Sequence, residues 1–104
     1  MDELAHRNYL TVAEATLQRI EAAADAVELD SKREGSVLTL EFDSGDQVIV
    51  NLQPAIDELW LASRLGAYHF RYVDGAWRDT REGLAFDALL RDAVAALGGL
   101  TLPL

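Results

Sequence analysis

Between residues 36 and 73 apolar side chains recur at every second position, and that period restricts the chain to an antiparallel sheet with one buried face. SVLTLEF (36–42) sets Leu38, Leu40 and Phe42 on one side and Val37, Thr39 and Glu41 on the other. The turn DSGD (43–46) follows, its glycine supplying a positive φ at little cost. QVIVNLQ (47–53) then sets Val48, Val50 and Leu52 inward and Ile49, Asn51 and Gln53 outward. Pro54 has no N–H to give to a ladder and ends that strand. ELWLAS (58–63) and AYHFRYV (67–73) read as two more strands. The second carries Tyr68, Phe70 and Tyr72 on one face, opposite His69 and Arg71. VELDSK (27–32) and WRDT (77–80) read as shorter ones, about six in all.

Helical periodicity brackets these strands. Tyr9, Leu10, Ala13, Leu17, Ile20 and Ala24 form a stripe at three- and four-residue steps, predicting a helix from Glu3 to about Ala24. Phe86, Leu89, Leu90, Ala93, Val94 and Leu97 predict a second over 84–97, stopped by Gly98 and Gly99. Helix, hairpin-linked strands, helix predicts an α+β fold. The expected arrangement has two helices on one face of the sheet and the other face open to water. At 104 residues the chain reads as one domain, residues 1–104. The tail LTLPL (100–104) is expected to fold back into the groove between the helices rather than expose three leucines.

Cysteine is absent, which excludes disulfides, thiolate metal sites and cysteine nucleophiles. The opening MDELAHRNYL lacks a basic segment followed by an apolar run, and the longest apolar stretch, AVAALGGLTLPL, is too short to cross a bilayer. A cytoplasmic protein without membrane contact is the expectation. Net charge is −9: residues 1–34 carry eight acids against four bases, 35–63 five acids and no base, and 64–104 five of each. Nucleic-acid binding needs the opposite sign, so cations or basic protein surfaces are the expected partners of the acidic part.

The order of elements, with SVLTLEF–DSGD–QVIVNLQP and the later ELWLA…GAYHF…W…D, resembles the frataxin family, most closely its bacterial CyaY-type members. The resemblance spans nearly the whole chain and is densest from Ser36 to Thr80. It implies a frataxin-like two-layer α/β sandwich, weak iron binding at surface carboxylates, ferrous or ferric, and a role in iron–sulfur cluster assembly. It further implies a cysteine desulfurase and a cluster scaffold protein as partners, and a monomer in the absence of iron.

Two candidate sites follow. The first is an acidic edge of Glu14, Glu21, Asp25, Glu28 and Asp30, resembling the family's acidic ridge and offering hard carboxylate oxygens to iron. Glu21 and Asp25 lie one helical turn apart, and Glu28 and Asp30 are expected to point one way from a strand. Gln18 and several alanines thin this edge, and Lys32 and Arg33 add positive charge beside it. The second site is the open sheet face with Asn51, Gln53, Trp60 and His69, an exposed tryptophan among amides with the composition of a protein interface. In the family the matching Asn, Gln and Trp face the partner. Neither histidine has the partners of a hydrolytic triad and no phosphate loop is present, so no enzyme is expected. The competing expectation is an acidic interaction module that modulates the desulfurase without meaningful iron binding.

Overall fold

The computed structural model describes residues 3–104. Helix α1 (Glu3–Ala26) is followed by strands β1 (Asp30–Glu34), β2 (Val37–Glu41) and β3 (Gln47–Gln53). A 3₁₀ turn, Pro54–Ile56, then leads into β4 (Glu58–Ser63), β5 (Gly66–Val73) and β6 (Ala76–Asp79), and α2 (Phe86–Gly98) completes the fold. The six strands form one antiparallel sheet in sequence order, each paired with the next. Both expected helices and the hairpin succession are therefore present.

Alternation does the sorting. Leu38, Leu40, Phe42, Val48, Val50, Leu52, Leu59, Leu61 and Phe70 are all buried in one core with Ala13, Leu17 and Ile20 of α1 and Phe86, Leu90 and Val94 of α2. Thr16 is buried as well, because its Oγ1 accepts the Trp77 Nε1–H at 2.9 Å and so makes Trp77 a tie between sheet and helix. Leu10, expected in the stripe, is 38% exposed and lies at its margin. The tail turns inward as expected, with Leu102 fully buried and Leu100 and Leu104 packed against the core. Among the described residues no helix is long and apolar enough to cross a membrane.

Three boundaries differ from the sequence expectation, each for a local reason. Residues 27–29 are not a strand. The N–H of Leu29 donates to the carbonyl of Ala24, and that of Glu28 to Asp25, while Glu28 takes φ 56°. That pair of bonds closes α1 with a left-handed cap, and the alternation of Val27 and Leu29 reflects apolar contact at the helix end. At the other helix, the N–H of Leu84 is held by the Asp79 carboxylate and its carbonyl by the Asp79 N–H, so α2 starts at Phe86 rather than 84. Gly98 lies within α2 and Gly99, at φ 64°, caps it. A Cβ at position 98 would stand 2.3 Å from the buried Phe42 ring, so close approach of helix and sheet requires the glycine there.

Candidate functional site

Register across the open face brings its candidate residues into one row. Asn51 on β3 pairs with Trp60 on β4, and Trp60 pairs with His69 on β5. The next row runs Gln53, Glu58, Arg71 and Arg78 across β3 to β6. Trp60 and His69 stack nearly parallel, ring centroids 4.0 Å apart at 8°. The Trp60 Nε1–H donates to Glu58 Oε1 at 2.9 Å, and Arg71 Nε donates to Glu58 Oε2 at 3.0 Å. His69 Nδ1 stands 3.9 Å from the same carboxylate. Gln53 Nε2 donates to Asn51 Oδ1 at 2.8 Å. All four expected residues share this face, but Asn51, Gln53 and Trp60 are half-buried by one another rather than fully exposed.

The organiser of this patch is Glu58, which sequence reasoning passed over. It is only 6% exposed on the sheet face that lacks helices. Burial alone would push its carboxyl up. The hydrogen bonds from Trp60 and Arg71, with the charges of Arg71 and His69, more than offset that and hold it below the usual carboxylate range. An ionised carboxylate locked from two sides fixes the indole in one orientation.

The acidic edge is less coherent. Glu14 and Glu21 are brought together, but by Arg33: its Nη2 lies against both Glu14 oxygens and its Nη1 donates to Glu21 Oε1 at 3.2 Å. Asp25 is exposed on the last turn of α1. Glu28 and Asp30 do not share a strand as expected, because Glu28 is the left-handed cap and β1 begins at Asp30. Asp30 pairs with Glu41, two steps from the Lys32–Thr39 pair. Glu28 and Asp30 instead line a shallow groove of about 380 Å³ with Glu41 and Asp43, two acids the sequence reading did not include. Among the described residues no three histidine, aspartate or glutamate groups converge well enough to hold a metal ion.

Outside both sites, His6 Nδ1 lies 2.6 Å from Asp57 Oδ1, tying the start of α1 to the turn before β4. Asp79 accepts the backbone N–H groups of Arg81, Glu82 and Leu84. Those N–H groups lower its carboxyl against the rise that burial causes, and the Arg64 fork lowers Asp46. Buried Tyr9 donates its hydroxyl to the Glu58 carbonyl and is pushed up to about 12, first by burial and then by the charges of Asp57 and Glu58.

These shifts fix the form of the stability profile. Lowered carboxylates stabilise the fold above their unfolded pKa of about 4 and lose that contribution as pH falls through the folded values. Raised Tyr9 stabilises the fold below its ordinary 10.0 and loses that contribution as pH rises toward about 12. The melting temperature is expected to stay level between about pH 6 and 9 and to fall on both sides, below about pH 4 and above about pH 10. Calorimetry across that range checks it, and Tyr9→Phe should flatten the alkaline limb alone.

Comparison with known proteins agrees with this architecture. The family model for the frataxin-like domain matches residues 2–99. The iron–sulfur cluster assembly protein CyaY of Paraburkholderia phymatum is 48% identical over 98 residues, covering 92% of this chain and 93% of that protein. The protein of the same name from Burkholderia mallei is 45% identical over 102 residues, covering 93% and 94%. Among solved structures, frataxin from Psychromonas ingrahamii superposes with a TM-score of 0.86 at 29% identity, over 93% of this chain and 94% of that one. A trimeric frataxin from the yeast Saccharomyces cerevisiae, complexed with ferrous, superposes with a TM-score of 0.61 at 26% identity, over 88% and 82%.

Proposed function

The chain belongs to the frataxin-like family, and from that premise we propose that it is a non-enzymatic, iron-binding component of iron–sulfur cluster assembly. Its role is that of a regulator of, or iron donor to, a cysteine desulfurase and its cluster scaffold. The names of its relatives in Paraburkholderia phymatum and Burkholderia mallei support the process, and the yeast structure complexed with ferrous supports iron as cargo. The observation that carries the docking part is the ordered Trp60–His69 stack on Glu58, flanked by the Asn51–Gln53 amide pair. A large tryptophan surface with an arginine beside it has the composition in which interface hot spots are enriched.

Iron enters this reading as weakly held cargo. Carboxylate oxygens suit it chemically. Asp25, Glu28 and Asp30 are exposed and, among the described residues, form no ion pair, while Glu14 and Glu21 are engaged by Arg33. A site of this kind, without three converging ligands, leaves much of the coordination shell to water. The same exposed acids would guide the protein electrostatically onto a basic surface of the desulfurase.

Replacing Asp25, Glu28 and Asp30 with Asn, Gln and Asn is the test. Exposed charge pairs contribute at most about 1 kcal/mol each, so desulfurase affinity should fall about tenfold at low salt. The deficit should shrink toward nothing as ionic strength approaches about 1 M. Calorimetric titration of the two proteins measures this, and affinity that survives the triple substitution at low salt removes the acidic edge from the docking surface.

A further inference from the structure

We propose that Arg33 is the resident cation of the acidic edge, its guanidinium occupying the Glu14–Glu21 carboxylates and keeping metal ions off them. The inference deepens the iron-cargo reading above and rests on it.

Strand parity decides which base reaches the helix. Arg33 pairs with Leu38, whose side chain is fully buried beneath the helices, so Arg33 points toward α1. Lys32 pairs with Thr39, points the other way and meets Glu34 at 3.0 Å. Glu14 and Glu21 are seven residues apart on α1, two turns along one face and about 10 Å in backbone rise, and their side chains converge on one planar fork. Nη2 takes Glu14, Nη1 takes Glu21, and Nε donates to the Gly35 carbonyl at 3.1 Å. The arginine side chain is only 23% exposed, so it is held rather than sampling solvent.

Such a cation cannot be titrated away, because a guanidinium stays protonated throughout the accessible range, and here Glu14 and Glu21 raise it further. A divalent ion entering the pair would meet this fixed positive charge at close range and would have to displace it. An inward-pointing charge on an edge strand also discourages sheet-to-sheet pairing. That role needs no carboxylate partner, so the two are separable.

Anaerobic titration with ferrous iron, and with manganous ion followed by electron paramagnetic resonance, tests the proposal on the full chain. The double variant E14Q/E21Q, with Arg33 intact, is expected to bind both ions as the unaltered protein does. R33Q, its fold verified by circular dichroism, is expected to bind at least about threefold more tightly, or one additional ion, because the repulsion is gone. Loss of metal in E14Q/E21Q, or no gain in R33Q, overturns the proposal. An unaltered protein that takes up neither ion would remove the iron-cargo reading, whereas the gain in R33Q decides the role of Arg33 independently.

Discussion

Phe70→Ala should lower the melting temperature by more than about 12 °C, the largest stability effect expected from one substitution in this chain. Phe70 is fully buried, paired with Leu59 on β4 and with Asp79 on β6, and meets the Phe86 ring edge-on at 5.0 Å and 87°. It therefore joins the sheet to the first turn of α2. Truncation removes the transfer free energy of the ring and leaves a void that paired strands cannot close. Phe→Ala changes in such sites cost about 3–5 kcal/mol. A domain of this size has only about 5–15 kcal/mol in total, so the variant would sit near the edge of folding. Leu65→Ala, at a half-exposed position in the β4–β5 turn, should stay within about 0.5 kcal/mol of the unaltered protein. Thermal unfolding by circular dichroism measures both. A drop for Phe70→Ala no larger than for Leu65→Ala would mean that α2 does not depend on β5 for its packing.

The sheet and its buried face were legible because a period of two is a direct trace of side-chain direction. Leu38, Leu40, Val48, Val50 and Leu52 fall where alternation puts them. Glu28 was misplaced for a physical reason: a left-handed helix cap is usually glycine, and a glutamate there leaves no compositional mark. The neighbouring Val27 and Leu29 then mimic a strand. Arg33 shows what parity can still deliver. Counting from Leu29 and Ser31, it falls on the inward side of the first strand, but only the tertiary position of α1 brings Glu14 and Glu21 within its reach.

The open-face cluster stands between these cases. Once the turn is placed at Arg64–Leu65, the antiparallel register pairs Trp60 with His69 and Glu58 with Arg71 without further information. Asn51 follows from the preceding hairpin. What register cannot supply is the indole donating to Glu58, because that depends on a rotamer chosen among competing acceptors. His6 with Asp57 and Thr16 with Trp77 lie further beyond sequence reasoning, since each joins residues more than fifty positions apart through helix-on-sheet packing.

On the proposed docking, Trp60→Ala should weaken binding to the desulfurase–scaffold complex at least about thirtyfold, corresponding to a hot-spot loss of 2 kcal/mol or more, while the protein stays folded. The ring lies on the face without helices, half-buried under His69, so its removal opens no void in the core. It does strip the patch of its large aromatic surface and frees Glu58 Oε1 from the indole N–H. Trp60→Phe separates the two contributions. It keeps a ring for His69 to stack on but has no N–H for Glu58, so affinity should fall between the two extremes. The loss should also persist at high salt, where the proposed contribution of Asp25, Glu28 and Asp30 fades, because burial of an aromatic ring is not screened. Affinity measured for the unaltered protein, Trp60→Ala and Trp60→Phe at low and high salt decides the matter. Binding by Trp60→Ala within threefold of the unaltered protein would show that partners do not use this face, and would leave the Glu58 network as a structural device alone.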